Sequence, residues 1–128
     1  MNILAIDYGE KFVGLAIKRE NLDVVFPYQV LDNKNEDDFL NSLRGIIKKE
    51  KIDRIVVGRP LGMNSKATEQ TKIIDQFIQK LKKAIELPIE SFDERLTSKM
   101  ALNLSKGEGN IHASSAVIIL QGYLDSLK

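Results

Sequence analysis

Ile3-Leu4-Ala5-Ile6 is an unbroken apolar run that ends on Asp7. Without polar alternation, such a run predicts a strand covered on both faces, in the interior of a sheet. Tyr8-Gly9-Glu10-Lys11 reads as a turn. Phe12 to Ile17 reads as a second strand, and so short a connection makes it the antiparallel neighbour of the first. Val24 to Leu31 gives a third strand. Pro27 within it predicts a sheet edge or a bulge, because proline cannot donate to a ladder. Asn33 to Glu36, followed by Asp37 and Asp38, carry helix-start chemistry. Phe39, Leu43, Ile46 and Ile47 then recur at helical spacing, and Lys48, Lys49 and Lys51 close that helix with the charge its dipole favours. Ile52 to Val57 repeats the doubly covered strand pattern and ends at Gly58, which opens the loop Gly58-Arg59-Pro60-Leu61-Gly62.

The second half alternates helix and strand. Asn64 or Ser65 is expected to cap a helix whose buried stripe is Ala67, Ile74, Phe77 or Ile78, Leu81 and Ile85. Leu87 to Phe92 predicts a fifth strand, running into Asp93-Glu94-Arg95. Thr97 or Ser98 is expected to start a short helix. Lys106 to Asn110 forms a loop, and Ile111 to Leu127 the last helix. The order β-β-β-α-β-α-β-α-α is satisfied by a mixed five-stranded sheet flanked by helices, an α/β arrangement of the ribonuclease H-like kind.

Composition narrows the classes of function. A chain of 128 residues, 43% hydrophobic and 29% charged, fits one soluble domain, so residues 1–128 are read as a single domain. No apolar run approaches the roughly 18 residues of a membrane span. The N-terminus has no basic segment and carries an acid at position 7, so it does not read as a signal peptide. With no cysteine there is no disulfide framework, thiolate metal site or cysteine nucleophile, which fits a cytoplasmic setting. The net charge of +1 leaves any nucleic-acid binding to a local basic patch. Five Phe, three Tyr and no Trp argue against a base-stacking platform.

Three places put polar groups where a core does not want them. Asp7 ends the most buried strand, where ligands gather in open α/β sheets, although Asp before Tyr-Gly is also ordinary turn chemistry. Asp93 and Glu94 end the fifth strand. Side chains alternate along a strand, so one faces a site while the other faces the opposite layer or pairs with Arg95. The last helix presents His112, Ser115, Ala116 and Ile119 on one face, polar at its start and apolar beyond. An imidazole there is held neutral by the helix dipole, the form that ligates metal, or it is a surface residue. Two carboxylates with open positions suit Mg²⁺ or Mn²⁺, and two such ions about 4 Å apart can drive phosphodiester hydrolysis. Arg59 could hold a phosphate bidentately or be a loop-surface arginine, and Lys11 could contact a substrate backbone or be a solvated turn residue.

Four blocks then match a known family in order: Asp7-Tyr8-Gly9-Glu10-Lys11 with Gly14-Leu15-Ala16; Val57-Gly58-Arg59-Pro60; Asp93-Glu94-Arg95-Leu96-Thr97-Ser98; and Ala116 to Leu124. Together they resemble the YqgF/RuvX family, the Holliday-junction-resolvase-like proteins also described as candidate pre-16S rRNA nucleases. The resemblance runs nearly end to end. It implies a ribonuclease H-like fold, a cytoplasmic setting and a divalent-metal nuclease (Mg or Mn) maturing the 5′ end of precursor small-subunit rRNA. It also implies Asp7 as the first metal-binding acid and Glu94 as the second, with Asp93 and Ser115 supporting. The family's third acid falls here on His112, a nitrogen ligand better matched to Mn²⁺ than to Mg²⁺. Lys11, Arg59 and Arg95 are the expected nucleic-acid contacts, in a monomer or homodimer with no membrane attachment. The stretch between Ser98 and Ile111 is short for the family and holds only Lys99 and Lys106 as basic residues. The alternatives are a resolvase of four-way DNA junctions, which needs a two-fold dimer, and a non-catalytic RNA-binding assembly factor. An actin- or sugar-kinase-like ATPase half is disfavoured by length.

Overall fold

In a computed structural model, the structure describes residues 1–61, 66–93 and 111–127, with the side chains of 111–113 excepted. Five strands, β1 (Ile3–Tyr8), β2 (Phe12–Lys18), β3 (Val25–Asp32), β4 (Arg54–Arg59) and β5 (Ile89–Asp93), form one sheet in the order β3-β2-β1-β4-β5. The β1–β2 and β2–β3 pairs are antiparallel; β1–β4 and β4–β5 are parallel. The helices are α1 (Glu36–Glu50), α2 (Glu69–Ala84) and α3 (Ile111–Ser126).

β1 lies at the centre with Ile3 to Ile6 all buried, as its unbroken apolar run requires. Its residues serve two layers alternately. Leu4 and Ile6 join Leu15, Ile17, Ile55 and Val57 in the core beneath α1 and α2. Ile3 and Ala5 join Ala16 and Val56 beneath Ala116, Ile119, Leu120 and Tyr123 of α3. Pro27 meets both of its expectations. β3 is an edge strand, and its pairing skips Tyr28 between Leu15–Gln29 and Ala16–Pro27.

α1 starts at Asn35, whose side chain accepts from the Asp38 N–H, and ends at Lys51 in the left-handed conformation (φ 53°). The cap of α2 departs from expectation. It is Thr68, not Asn64 or Ser65, so Ala67 precedes the helix. Thr68 and Thr71 each accept the other's backbone N–H, and the Thr71 hydroxyl, fully buried, also donates to the Pro60 carbonyl. That contact to the loop after β4 fixes where the helix begins. The short helix expected from Thr97 or Ser98, and the loop over 106–110, lie outside the described residues.

Candidate active site at the carboxyl edge of the sheet

Asp7 stands one residue from the end of β1, half-buried. Alternation puts it on the α3 side with Ile3 and Ala5. Its partner across β2 is Gly14, and the β1–β4 pairing, which runs to Ile6–Val57, leads next to Gly58. Glycines therefore flank Asp7 on the strands either side.

The wider α3 face tapers toward that carboxylate. From the amino edge to the carboxyl edge, β1 presents Ile3, Ala5 and Asp7; β2 presents Lys18, Ala16 and Gly14; β4 presents Arg54, Val56 and Gly58. The wide end is filled by a polar relay. Arg54 donates to the Tyr123 hydroxyl at 2.8 Å, and Tyr123 donates to Glu90. Burial, then the bond to Glu90, raises the Tyr123 hydroxyl above the usual tyrosine range. The relay ties the C-terminal part of α3 over the amino ends of β4 and β5, and Phe92 packs edge-on against the Tyr123 ring.

Asp93 lies on the other side. It pairs in register with Arg59, and Ile89, four residues earlier on the same face, belongs to the core under α1 and α2. Arg59 reaches across that layer to Asp75 of α2, with Nε to Oδ1 at 2.8 Å and Nη2 to Oδ2 at 3.0 Å. The Asp75 carboxyl is held below the usual carboxylate range by this bond, and the guanidinium is raised above its own.

The turn after β1 is stitched in place. Asn33 donates its side-chain amide to the Gly9 carbonyl at 2.8 Å and its backbone N–H to the Lys11 carbonyl at 2.9 Å. A Cβ at Gly9 would meet the Phe12 carbonyl oxygen at 2.5 Å, so glycine is required there. Tyr8, facing the layer opposite Asp7, stacks on Phe77 of α2 with ring centroids 3.9 Å apart. Lys11 is exposed on this turn.

Of the residues expected at a site, Asp7, Lys11, Arg59, Asp93 and Ser115 are described. Ser115 is half-buried in α3, next to the fully buried Ala116. Glu94 and Arg95 lie outside the described residues; the backbone of His112 belongs to the first turn of α3, its side chain outside. Among the described residues no three His, Asp or Glu side chains cluster as a metal site. Asp7 nevertheless fits one end of such a site, because it offers carboxylate oxygen with glycine on either side. Asp75 was not singled out in the sequence, and Asn33 only as part of a helix start. Arg59 and Asp75 are sixteen residues apart on different elements, and no local pattern links them.

Residues 1–126 match the family described as "RuvX: Holliday junction resolvase". A Rickettsia africae protein named "Putative pre-16S rRNA nuclease" is 39% identical over 98% of this chain and 87% of its own length. A Dictyoglomus turgidum protein of the same name is 38% identical over 99% of this chain and 96% of its own. Among solved structures, Thermus thermophilus RuvC in complex with a Holliday junction substrate superposes with TM-score 0.63 at 12% identity, covering 93% of this chain and 89% of that one. Fowlpox virus resolvase, in complex with Holliday junction DNA, gives 0.61 at 15% identity, covering 99% of each chain. These structural matches establish the ribonuclease H-like fold.

Proposed function

The chain belongs to the RuvX family, and from that premise we propose that it is a metal-dependent nuclease processing the 5′ end of precursor 16S rRNA in the cytoplasm during ribosome biogenesis. The observation that carries this reading is Asp7, an acid at the carboxyl edge of the central strand on the tapered face, with Gly14 directly opposite. The names of the relatives support the substrate. Among the described residues no helix is long and apolar enough to cross a membrane.

Asp7, Glu94 and His112 would hold the ions. Asp93 shares a face with Arg59, and strand alternation supports giving the opposite face, that of Asp7, to the residue that follows. Because α3 is anchored by Tyr123 over the amino ends of β4 and β5, its other end is available to the carboxyl edge; this supports His112 as the third ligand and Ser115 as its neighbour one turn on. When bound, divalent ions supply activation of a water and stabilisation of the leaving ribose oxygen. The chain's own contribution is to fix the Asp7 carboxylate on a strand buried on both faces. It also presents Lys11 on the stitched turn to the RNA backbone. In the reaction, water adds to phosphorus as the bond to the leaving ribose oxygen breaks and that oxygen takes up a proton.

The test is incubation of the purified protein with precursor 16S rRNA and with a four-way DNA junction, each with Mg²⁺, Mn²⁺ or EDTA. Trimming of the rRNA with metal and none with EDTA is expected, with Mn²⁺ the better ion because His112 supplies nitrogen. Cutting of the junction alone would replace the substrate. Salt-sensitive RNA binding without cleavage of either would make the protein an assembly factor.

A further inference from the structure

Among the described residues six large apolar side chains are well exposed, and they divide unevenly between the two ends of the sheet. Met1, Leu22, Val24 and Phe26 lie at the amino edge, and Leu127 ends the helix that Tyr123 anchors over that edge. Of the six, only Phe12 is at the carboxyl edge, 42% exposed at the start of β2. The next residue, Val13, belongs to the core under α1 and α2, so alternation turns Phe12 to the α3 side with Gly14 and Ala16. Gly14 is opposite Asp7, which makes Phe12 the diagonal neighbour of that carboxylate. Diagonal positions lie about 7–8 Å apart, within reach of an aromatic ring. The backbone that carries the ring is held on both sides. Asn33 donates to the Lys11 carbonyl just before it, and the turn comes so close at Gly9 that only glycine clears the Phe12 carbonyl oxygen. Lys11 is exposed next in sequence, and Asp32, the register partner of Phe12 on β3, is exposed on the same face.

We propose that Phe12 is a substrate-binding residue whose ring stacks on the base of an unpaired nucleotide, beside the phosphate that Asp7 serves. A base covers apolar surface that the fold leaves in water, and every base has a face to stack, so one ring binds without regard to sequence. A base is reached this way only when it is out of a duplex, which commits this edge of the sheet to single-stranded RNA. The neighbouring charges agree. Lys11 attracts the backbone on one side of the ring, and Asp32 repels phosphate from the other, so the base and not the phosphate lies over Phe12. A single ring is not a platform, and the low aromatic content is compatible with one stacked base at the point of reaction. The inference rests on the nuclease reading for the phosphate at Asp7 but not for the stacking.

The chain has no tryptophan, so Phe12→Trp installs a single fluorescent reporter at the proposed contact. The probe is an unstructured RNA oligonucleotide of mixed sequence, mixed with the protein in Mn²⁺ and read by stopped flow ahead of any cleavage. Its addition should quench the Trp emission. A blunt RNA duplex and inorganic polyphosphate, which offer charge without a free base, should not. Phe26→Trp, at the opposite edge, should respond to none of the three. Affinity for the strand supplies a second readout. Phe12→Ala and Phe12→Leu should each weaken it about fivefold to 150-fold, the equivalent of one stacked base, and Phe12→Trp should retain it. Leucine keeps apolar bulk and lacks the aromatic face, so wild-type affinity in Phe12→Leu would overturn the proposal. So would quenching by duplex or polyphosphate equal to that by the strand. Emission that changes with protein concentration and not with RNA would assign Phe12 to a contact with a second copy of the chain, and would also overturn it. Quenching by the strand without cleavage of precursor rRNA in any metal would uphold the stacking and overturn the nuclease reading; cleavage without quenching would do the reverse.

Discussion

The two faces of the sheet are built from different side chains and meet different ends. Under α1 and α2 the strands contribute Leu4, Ile6, Val13, Leu15, Ile17, Ile55 and Val57, large apolar groups along their whole length. At the carboxyl edge that face is closed by Tyr8 stacked on Phe77, Arg59 bonded to Asp75, and Thr71 bonded to Pro60. Under α3 the same strands contribute Ile3, Ala5, Ala16 and Val56, and finish on Asp7, Gly14 and Gly58. Among the described residues, one face is filled by large apolar groups to its rim; the other narrows to glycines around the Asp7 carboxylate. A two-sided strand such as β1 can therefore be anchored by one layer while its other side remains available for chemistry.

The sharpest way to break the comparison is a pair of substitutions, one per face. Asp7→Asn keeps the shape of the side chain and removes its charge. Metal-dependent cleavage should drop to background while the urea midpoint moves little. Leu15→Ala, at a fully buried position on the filled face, should cost about 2–5 kcal/mol in urea denaturation, with cleavage per folded molecule retained. If the two variants exchanged these outcomes, the division of labour between the faces would be wrong. A second pair sharpens the boundary at β5: Glu94→Gln should reduce cleavage more than Asp93→Asn in matched assays. The opposite ranking would mean that Asp93 faces the metal.

Smaller effects test the closed rim. Thr68→Ala removes the acceptor for the Thr71 N–H and should cost about 0.5–2 kcal/mol, read by thermal or urea denaturation. Asp75→Asn should cost less, under about 1 kcal/mol, because the pair is partly exposed to water. Its effect depends on pH with a definite sign. The Asp75 carboxyl is lowered in the folded protein, so its contribution is complete above the unfolded value of about 3.9 and is lost as pH falls through the lowered folded value. The stability difference between wild type and Asp75→Asn should therefore be constant near neutrality and shrink in acid. A difference that grew in acid would mean the carboxylate is not what stabilises that edge.

Much of the fold was legible because it depends on local pattern. The unbroken run Ile3–Ile6 marked a strand with two covered faces, and Pro27 marked the edge strand. The start of α2 was not legible. Asn64, Ser65 and Thr68 are all good caps, and the choice was made by Thr71 reaching the Pro60 carbonyl, a contact that needs the folded loop. Asp7 could be found from its position at the end of a buried strand. The taper around it was also present, as Gly14 and Gly58, but its meaning needed the register that sets Gly14 opposite Asp7. Arg59 shows the reverse case. A loop arginine after a strand reads as a free cation until Asp75, on another element, accepts from it.

The skipped Tyr28 has a consequence for how the molecule meets copies of itself. Among the described residues no strand pairs with the outer side of β3, and an open strand invites a further strand from another chain. Here Pro27 removes one donor from the row, and the extra residue beside it breaks the two-residue repeat that a new strand would have to follow. The Tyr28 hydroxyl, donating to Glu50 of α1 at 2.9 Å, pins the irregularity from within. Sheet extension along this side is thereby disfavoured, and the five-stranded sheet gains protection against edge-to-edge aggregation from a two-residue feature at its margin.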